Sequence, residues 1–257
     1  MRLLVRAVAS VLLLGGALIA SLAYCPAQLL KIWLPATIEV STLSGTVLHG
    51  SATDIRIRHV PVGDLSWRIN LSSLLLAHPA GNLEITHAKE YVRLDFDITQ
   101  DKDLRLTHVD ASVSLALLSN VLISTQPRAA NGDASWVGIL NTDISSATIR
   151  HGWPIAIDGR LTLSQLQPPR SAVIVGSYEL AFSEPTHTDG TVIGHVHDVE
   201  GLLKVAAELK LQPSHAFNLH GDLSYGPNAP EELRIALGFL GVSDPAGPHD
   251  FEITGTY

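Results

Sequence analysis

Beyond Pro35 the chain alternates apolar and polar side chains with a period close to two. Thr37-Ile38-Glu39-Val40, Asp54-Ile55-Arg56-Ile57-Arg58, Leu65-Ser66-Trp67-Arg68-Ile69-Asn70-Leu71 and Val92-Arg93-Leu94-Asp95-Phe96-Asp97-Ile98 all follow it. Each reads as a half-buried strand with one polar face. Turn residues separate them, as at Pro61-Val62-Gly63-Asp64 and His78-Pro79-Ala80-Gly81-Asn82. Strands recur every ten residues or so, the rhythm of an antiparallel all-β protein. In the second half a glycine sits inside four alternating runs, at Gly159, Gly176, Gly221 and Gly255. A glycine there marks a bulge, a bend or close backbone approach, and its repetition predicts systematic curvature.

The first two dozen residues break this pattern. Ala7 to Tyr24 carries no charge, and Arg2 and Arg6 precede it. Such a run spans a bilayer core as a helix, and the flanking arginines hold its N-terminus in the cytoplasm. Arg2, Arg6, Leu12, Leu13, Leu14 and Ile19 are the anchor residues; Lys31 and Trp33 suit the interfacial belt. The expected layout is a cytoplasmic N-terminus at 1–6, a transmembrane helix at 7–24 and a periplasmic β-domain at 25–257. A cleaved signal peptide is the alternative, with Ser21-Leu22-Ala23 as the cutting site. A lipoprotein site at Cys25 is disfavoured by the bulk of Tyr24.

Two segments have helical spacing. Val113–Leu122 is short enough to be a strand instead. Pro230–Leu240 carries helix-start signals at Asn228, Pro230, Glu231 and Glu232 and a stop at Gly241. Gln126–Gly132, Gln167–Arg170 and Glu184–Gly190 read as linkers. The first separates a β half over 36–126 from one over 133–257, two lobes of one sheet more than two independent domains. The fold class is therefore all-β: an N-terminal transmembrane helix, then a long, curved, mainly antiparallel sheet forming an open groove or partial barrel, with one or two short helices. The helix from Pro230 is expected to cap one end. Ile55, Ile57, Leu65, Trp67, Ile69, Leu94, Phe96, Leu161, Leu163, Leu219 and Leu223 are expected to face inward.

Composition narrows function mainly by exclusion. The single cysteine, Cys25, allows no intramolecular disulfide and no multi-thiolate zinc site. Net charge is −8, and without Arg2 and Arg6 the rest carries −10, which disfavours nucleic acid. No nucleophile elbow, phosphate loop, dinucleotide fingerprint or paired-histidine zinc motif occurs. His187 and Asp189 with His195 and His197 form the sharpest metal candidate, but a third ligand at defined spacing is lacking. No metal, cofactor or catalytic residue is assigned. Trp67 and Trp153 are candidate interface anchors, with packing the stronger reading. Asn70-Leu71-Ser72 matches a glycosylation acceptor in a poor setting and is set aside.

The anchor leads to Leu43-Ser44-Gly45-Thr46-Val47-Leu48-His49-Gly50-Ser51-Ala52, then Leu65-Ser66-Trp67-Arg68-Ile69. Near the C-terminus stand Leu233 to Gly241, Asp244-Pro245-Ala246-Gly247 and the closing strand Phe251–Tyr257. In order and spacing the chain resembles the protein N family of the bacterial type II secretion system, although Leu48 stands where members often carry Trp. The resemblance implies a non-enzymatic accessory subunit in the inner membrane, with a periplasmic domain and other secretion subunits as partners. A looser resemblance is to envelope proteins of the AsmA and TamB type, which implies the alternative of a lipid ligand in an apolar groove.

Overall fold

The computed structural model describes residues 24–32, 34–76, 78–123, 136–168, 173–182, 189–226 and 249–256. After a 3₁₀ turn at Ala27–Ile32, fourteen strands follow. They are β1 (Ile38–Glu39), β2 (Thr42–Gly45), β3 (His49–Ile57), β4 (Val60–Ile69), β5 (Ala80–His87), β6 (Glu90–Ile98) and β7 (Leu104–Ser114). Then come β8 (Val137–Arg150), β9 (Trp153–Gln167), β10 (Gly176–Phe182), β11 (Val192–Gly201), β12 (Leu203–Leu211), β13 (Ala216–Tyr225) and β14 (His249–Thr256). Two helices interrupt them, α1 (Leu71–Leu75) and α2 (Leu115–Ile123). All strands join one antiparallel sheet in sequence order, with β1 and β2 sharing one edge of β3.

The expected all-β antiparallel architecture is therefore the observed one, and the Val113–Leu122 segment is helical from Leu115. The 7–24 stretch with its anchor residues, apart from Tyr24, lies outside the described residues, as do His187, the Gln126–Gly132 linker and the Pro230–Leu240 helix. No helix among the described residues is long and apolar enough to cross a membrane.

One turn falls elsewhere than the composition suggests, and one strand ends early. Pro61 and Gly63 lie inside β4, and the chain reverses one step earlier, at Arg58 and His59, both at positive φ. Two consecutive positive-φ residues match the right-handed strand twist of a tight hairpin. Pro61 is tolerated near the start of its strand, and Gly63 (φ 112°) lies at a bulge opposite Ile55. β4 stops at Ile69, so Leu71 opens α1 instead of ending a strand.

The sheet is rolled. Trp153 opens β9 and His215 precedes β13, yet their rings stack at 5.3 Å. Four strand spacings on a flat sheet would separate them by roughly 19 Å. Tyr178 on β10 likewise reaches past β11 to donate its phenolic proton to the Leu203 carbonyl at 3.3 Å. Glycines make the rolling sterically feasible. A Cβ on Gly221 would strike the Ala206 carbonyl and the Ala207 backbone across the ladder. Gly159 takes φ 141°, beside the β8–β9 bulge at Ile144 and Ser146.

Two buried clusters lie on the apolar side. Ala27, Leu43, Ala52 and Ile55 form one. Val175, Leu223 and Tyr225 form the other, with Leu203, Val205 and Phe251 packed around them. Of the eleven expected inward residues only Ile55 and Leu223 are buried; the other nine share their side of the sheet but remain partly exposed.

Candidate functional site

Directly opposed residues in an antiparallel ladder share a face. Followed from strand to strand, the register links Leu43, Ala52, Leu65, Ile85, Val92, Ala111, Thr142, Leu161, Leu180, Val196, Ala207, Gly221 and Phe251. This row crosses β2 to β14, with only Thr142 polar. At strand spacing it extends roughly 58 Å along the curved surface. One step along each strand, the opposite face carries Ser44, Ser51, Ser66, Glu84, Arg93, Asp110, Asp143, Arg160, Ala181, His195, Glu208, His220 and Glu252. The two faces are thus chemically separate across the whole sheet.

The apolar face deepens into a cavity of about 420 Å³ at the N-terminal end. Its walls come from β1 to β6 and from Leu30 and Leu34, and all sixteen lining residues are apolar. Trp67 is the one lining side chain with a polar atom. Its indole N–H donates to the Val47 carbonyl at 2.9 Å, leaving ring carbon toward the cavity. At the Ile57 end, Leu117, Leu118 and Val121 of α2 meet Ile57, Val62, Ile85, Val92 and Val113 around a smaller pocket. Helix α2 therefore stops that end of the groove. At the other end, Pro26 bridges Thr46 and the Val47 N–H donates to the Cys25 carbonyl at 2.9 Å.

The polar face has a shallow depression of about 740 Å³ with polar contacts between neighbouring strands. Arg93 meets Glu84 at 2.7 Å, and His108 meets Asp95 at 3.0 Å. At the β7–β8 margin Arg150 grips Asp103 with two bonds, of 2.9 and 2.7 Å, which hold the Asp103 carboxyl below the usual carboxylate range. Lys204, at 2.7 Å, and the Val205 N–H do the same for Asp198. Burial raises the Tyr178 phenol to about 12, with the Asp198 charge adding to the effect.

The metal candidates among the described residues do not assemble. His195 and His197 share the polar face of β11, but His195 lies opposite Glu208, and His197 is 3.7 Å from Glu179. Asp189 sits in the preceding turn and accepts from the Thr191 N–H. Among the described residues no group of three or more potential ligands converges. Neither tryptophan stands out as an anchor: Trp67 closes over Gly50 and Trp153 stacks on His215. Asn70 precedes α1. The sequence reading missed the α2 stop and the Leu30–Leu34 wall. The signal for the first was the crowding of Leu115, Leu117, Leu118 and Val121 beyond a strand's alternation.

The two edges of the sheet differ. On one side β1 and β2 are two and four residues long, and the 3₁₀ turn packs against β2 through the fully buried Ala27. On the other, β14 runs eight residues, and among the described residues it pairs with β13 alone. Ile253 at its centre is 47% exposed.

Compared with known families, residues 36–252 match the model described as type II secretion system, protein N. No curated protein and no solved structure matches the chain.

Proposed function

The chain belongs to the type II secretion system protein N family, which makes it an accessory subunit of that secretion system, and we propose that it works without catalysis. The uncharged 7–24 run behind Arg2 and Arg6 anchors it in the inner membrane, N-terminus in the cytoplasm. The β-domain lies in the periplasm and binds other secretion subunits. The β14 edge carries this reading: among the described residues the strand pairs with β13 alone, so its outer side can take a strand from a partner, with backbone hydrogen bonds supplying the affinity. Photocrosslinking in the native host tests it, with probes at Glu252 and Thr254 of β14 and at Glu39 of the blunted edge. Crosslinks to secretion subunits from β14 alone support strand addition; crosslinks from Glu39 alone, or none, refute it.

A second reading, a lipid-binding or lipid-transfer module, is favoured by one observation. Most of the apolar row remains partly exposed among the described residues, whereas soluble monomers rarely expose apolar patches beyond a few hundred Å². Organic extraction and mass spectrometry of the full-length protein purified from its membranes test this. Phospholipid at about one per chain supports it, and lipid no more abundant than in an unrelated single-span membrane protein refutes it.

A further inference from the structure

We infer that the cavity walled by β1–β6 and by Leu30 and Leu34 holds one acyl chain of a membrane lipid, entering at the Cys25–Val47 end. The inference rests on the lipid reading of the apolar face and narrows it to one site, one chemical class and one direction of entry.

The first argument is chemical. A peptide entering the cavity would bring backbone N–H and C=O groups, and each loses free energy if buried without a partner. The lining offers none: every residue is apolar, and the only polar side-chain atom, the Trp67 indole nitrogen, is already bonded to Val47. Water meets the same obstacle, since a buried water needs two to four polar partners. A hydrocarbon chain makes no such demand. The cavity volume of about 420 Å³ falls within the range of small-ligand sites.

The second argument is positional. The end of the groove at Ile57 is stopped by Leu117, Leu118 and Val121 of α2. The opposite end, at Val47, is where the chain arrives from the apolar 7–24 run. A lipid tail reaching in from the bilayer meets this end of the groove first, with its head group remaining outside in water.

The test uses the full-length protein in bilayer vesicles containing a phosphatidylethanolamine with a diazirine-bearing palmitoyl chain. Ultraviolet labelling is followed by peptide mass spectrometry. The expected label falls on the segment 34–96. Leu83→Trp, which fills the cavity, reduces it about tenfold, while Leu209→Trp, on the same face of β12 outside the cavity, leaves it unchanged. Labelling spread evenly over both halves of the apolar face, or unaltered by Leu83→Trp, overturns the site while sparing the lipid reading. No labelling above that of a protein lacking the β-domain overturns both. Should Leu83→Trp fail to fold, the position of the label on the wild-type chain still decides between these outcomes.

Discussion

Leucines on the same face of β13 should differ in what their truncation costs. Leu223 is 6% exposed and packs with Val175 and Tyr225; Leu219, four residues away on the same face, remains partly exposed. Leu223→Ala removes contacts on every side and leaves a hole its neighbours fill only in part, a loss of about 3 kcal/mol. Leu219→Ala removes most of the transfer free energy of the lost carbons but leaves no enclosed hole, a loss of about 2 kcal/mol. For a domain of this size the melting temperature should fall by about 9 °C and about 6 °C respectively. The assay is thermal unfolding of the full-length protein in detergent, followed by far-ultraviolet circular dichroism. Equal losses near the larger value would mean that the apolar face is covered along its whole length, and the open-groove reasoning would fail. Equal losses near the smaller value would remove the Val175 cluster as a core.

Three further outcomes are expected. Gly221→Ala should cost about 2 kcal/mol, because its Cβ meets the Ala206 carbonyl and the Ala207 backbone, whereas Gly226→Ala, whose Cβ would meet none of the described residues within 4 Å, should stay within about 0.5 kcal/mol of wild type in urea unfolding. The Asp103 carboxyl is held low by Arg150, so the stability it adds is complete above the unfolded carboxylate pKa of about 3.9 and fades as pH falls through the lower folded value. Asp103→Asn should therefore flatten the acid limb of a stability–pH curve below about pH 4, and an unchanged limb would contradict this. The Tyr178 phenol, raised to about 12, stays protonated in the fold while an unfolded tyrosine ionises near 10, so folding should lose stability as pH climbs through that interval. Tyr178→Phe should remove the last phenolate absorbance step seen before alkaline unfolding.

Which side of the sheet each residue joins was legible because alternation survives from strand to strand. Leu65, Leu161 and Leu219 share a side because the ladders pair apolar with apolar from β2 to β14 at nearly every step, Thr142 opposite Leu161 being the exception in the central row. Whether anything covers that side was not legible. Period two separates two faces but carries no information about a further layer, which is why nine of eleven expected core residues are only partly buried. Turns formed by residues without turn chemistry were also hidden: Arg58 and His59 take positive φ with side chains that give no hint of it. The rolling shows only in contacts distant along the chain, Trp153 on His215 above all. The glycines at 159 and 221 hinted at curvature without specifying its extent.

The asymmetry of the two edges constrains how such a sheet can join an assembly. Among the described residues the open sheet of fourteen strands ends in two edge lines, and an edge strand is a template for uncontrolled association. Here one line is shortened to β1 and β2 and packed by the 3₁₀ turn around Ala27, a device that blocks strand addition. The other, β14, keeps eight residues with Asp250 and Glu252 on the polar face and Ile253 on the apolar face. Those two acids discourage an acidic strand and favour one with basic residues at the matching positions, so Glu252→Lys should weaken the crosslink from a probe at Thr254 far more than it alters folding. The blunted edge lies beside the cavity and the Cys25–Ala27 segment, while the β14 edge lies at the far side of the sheet. A partner can therefore add to β14 without obstructing the groove, and the two proposed roles are sterically compatible on one molecule.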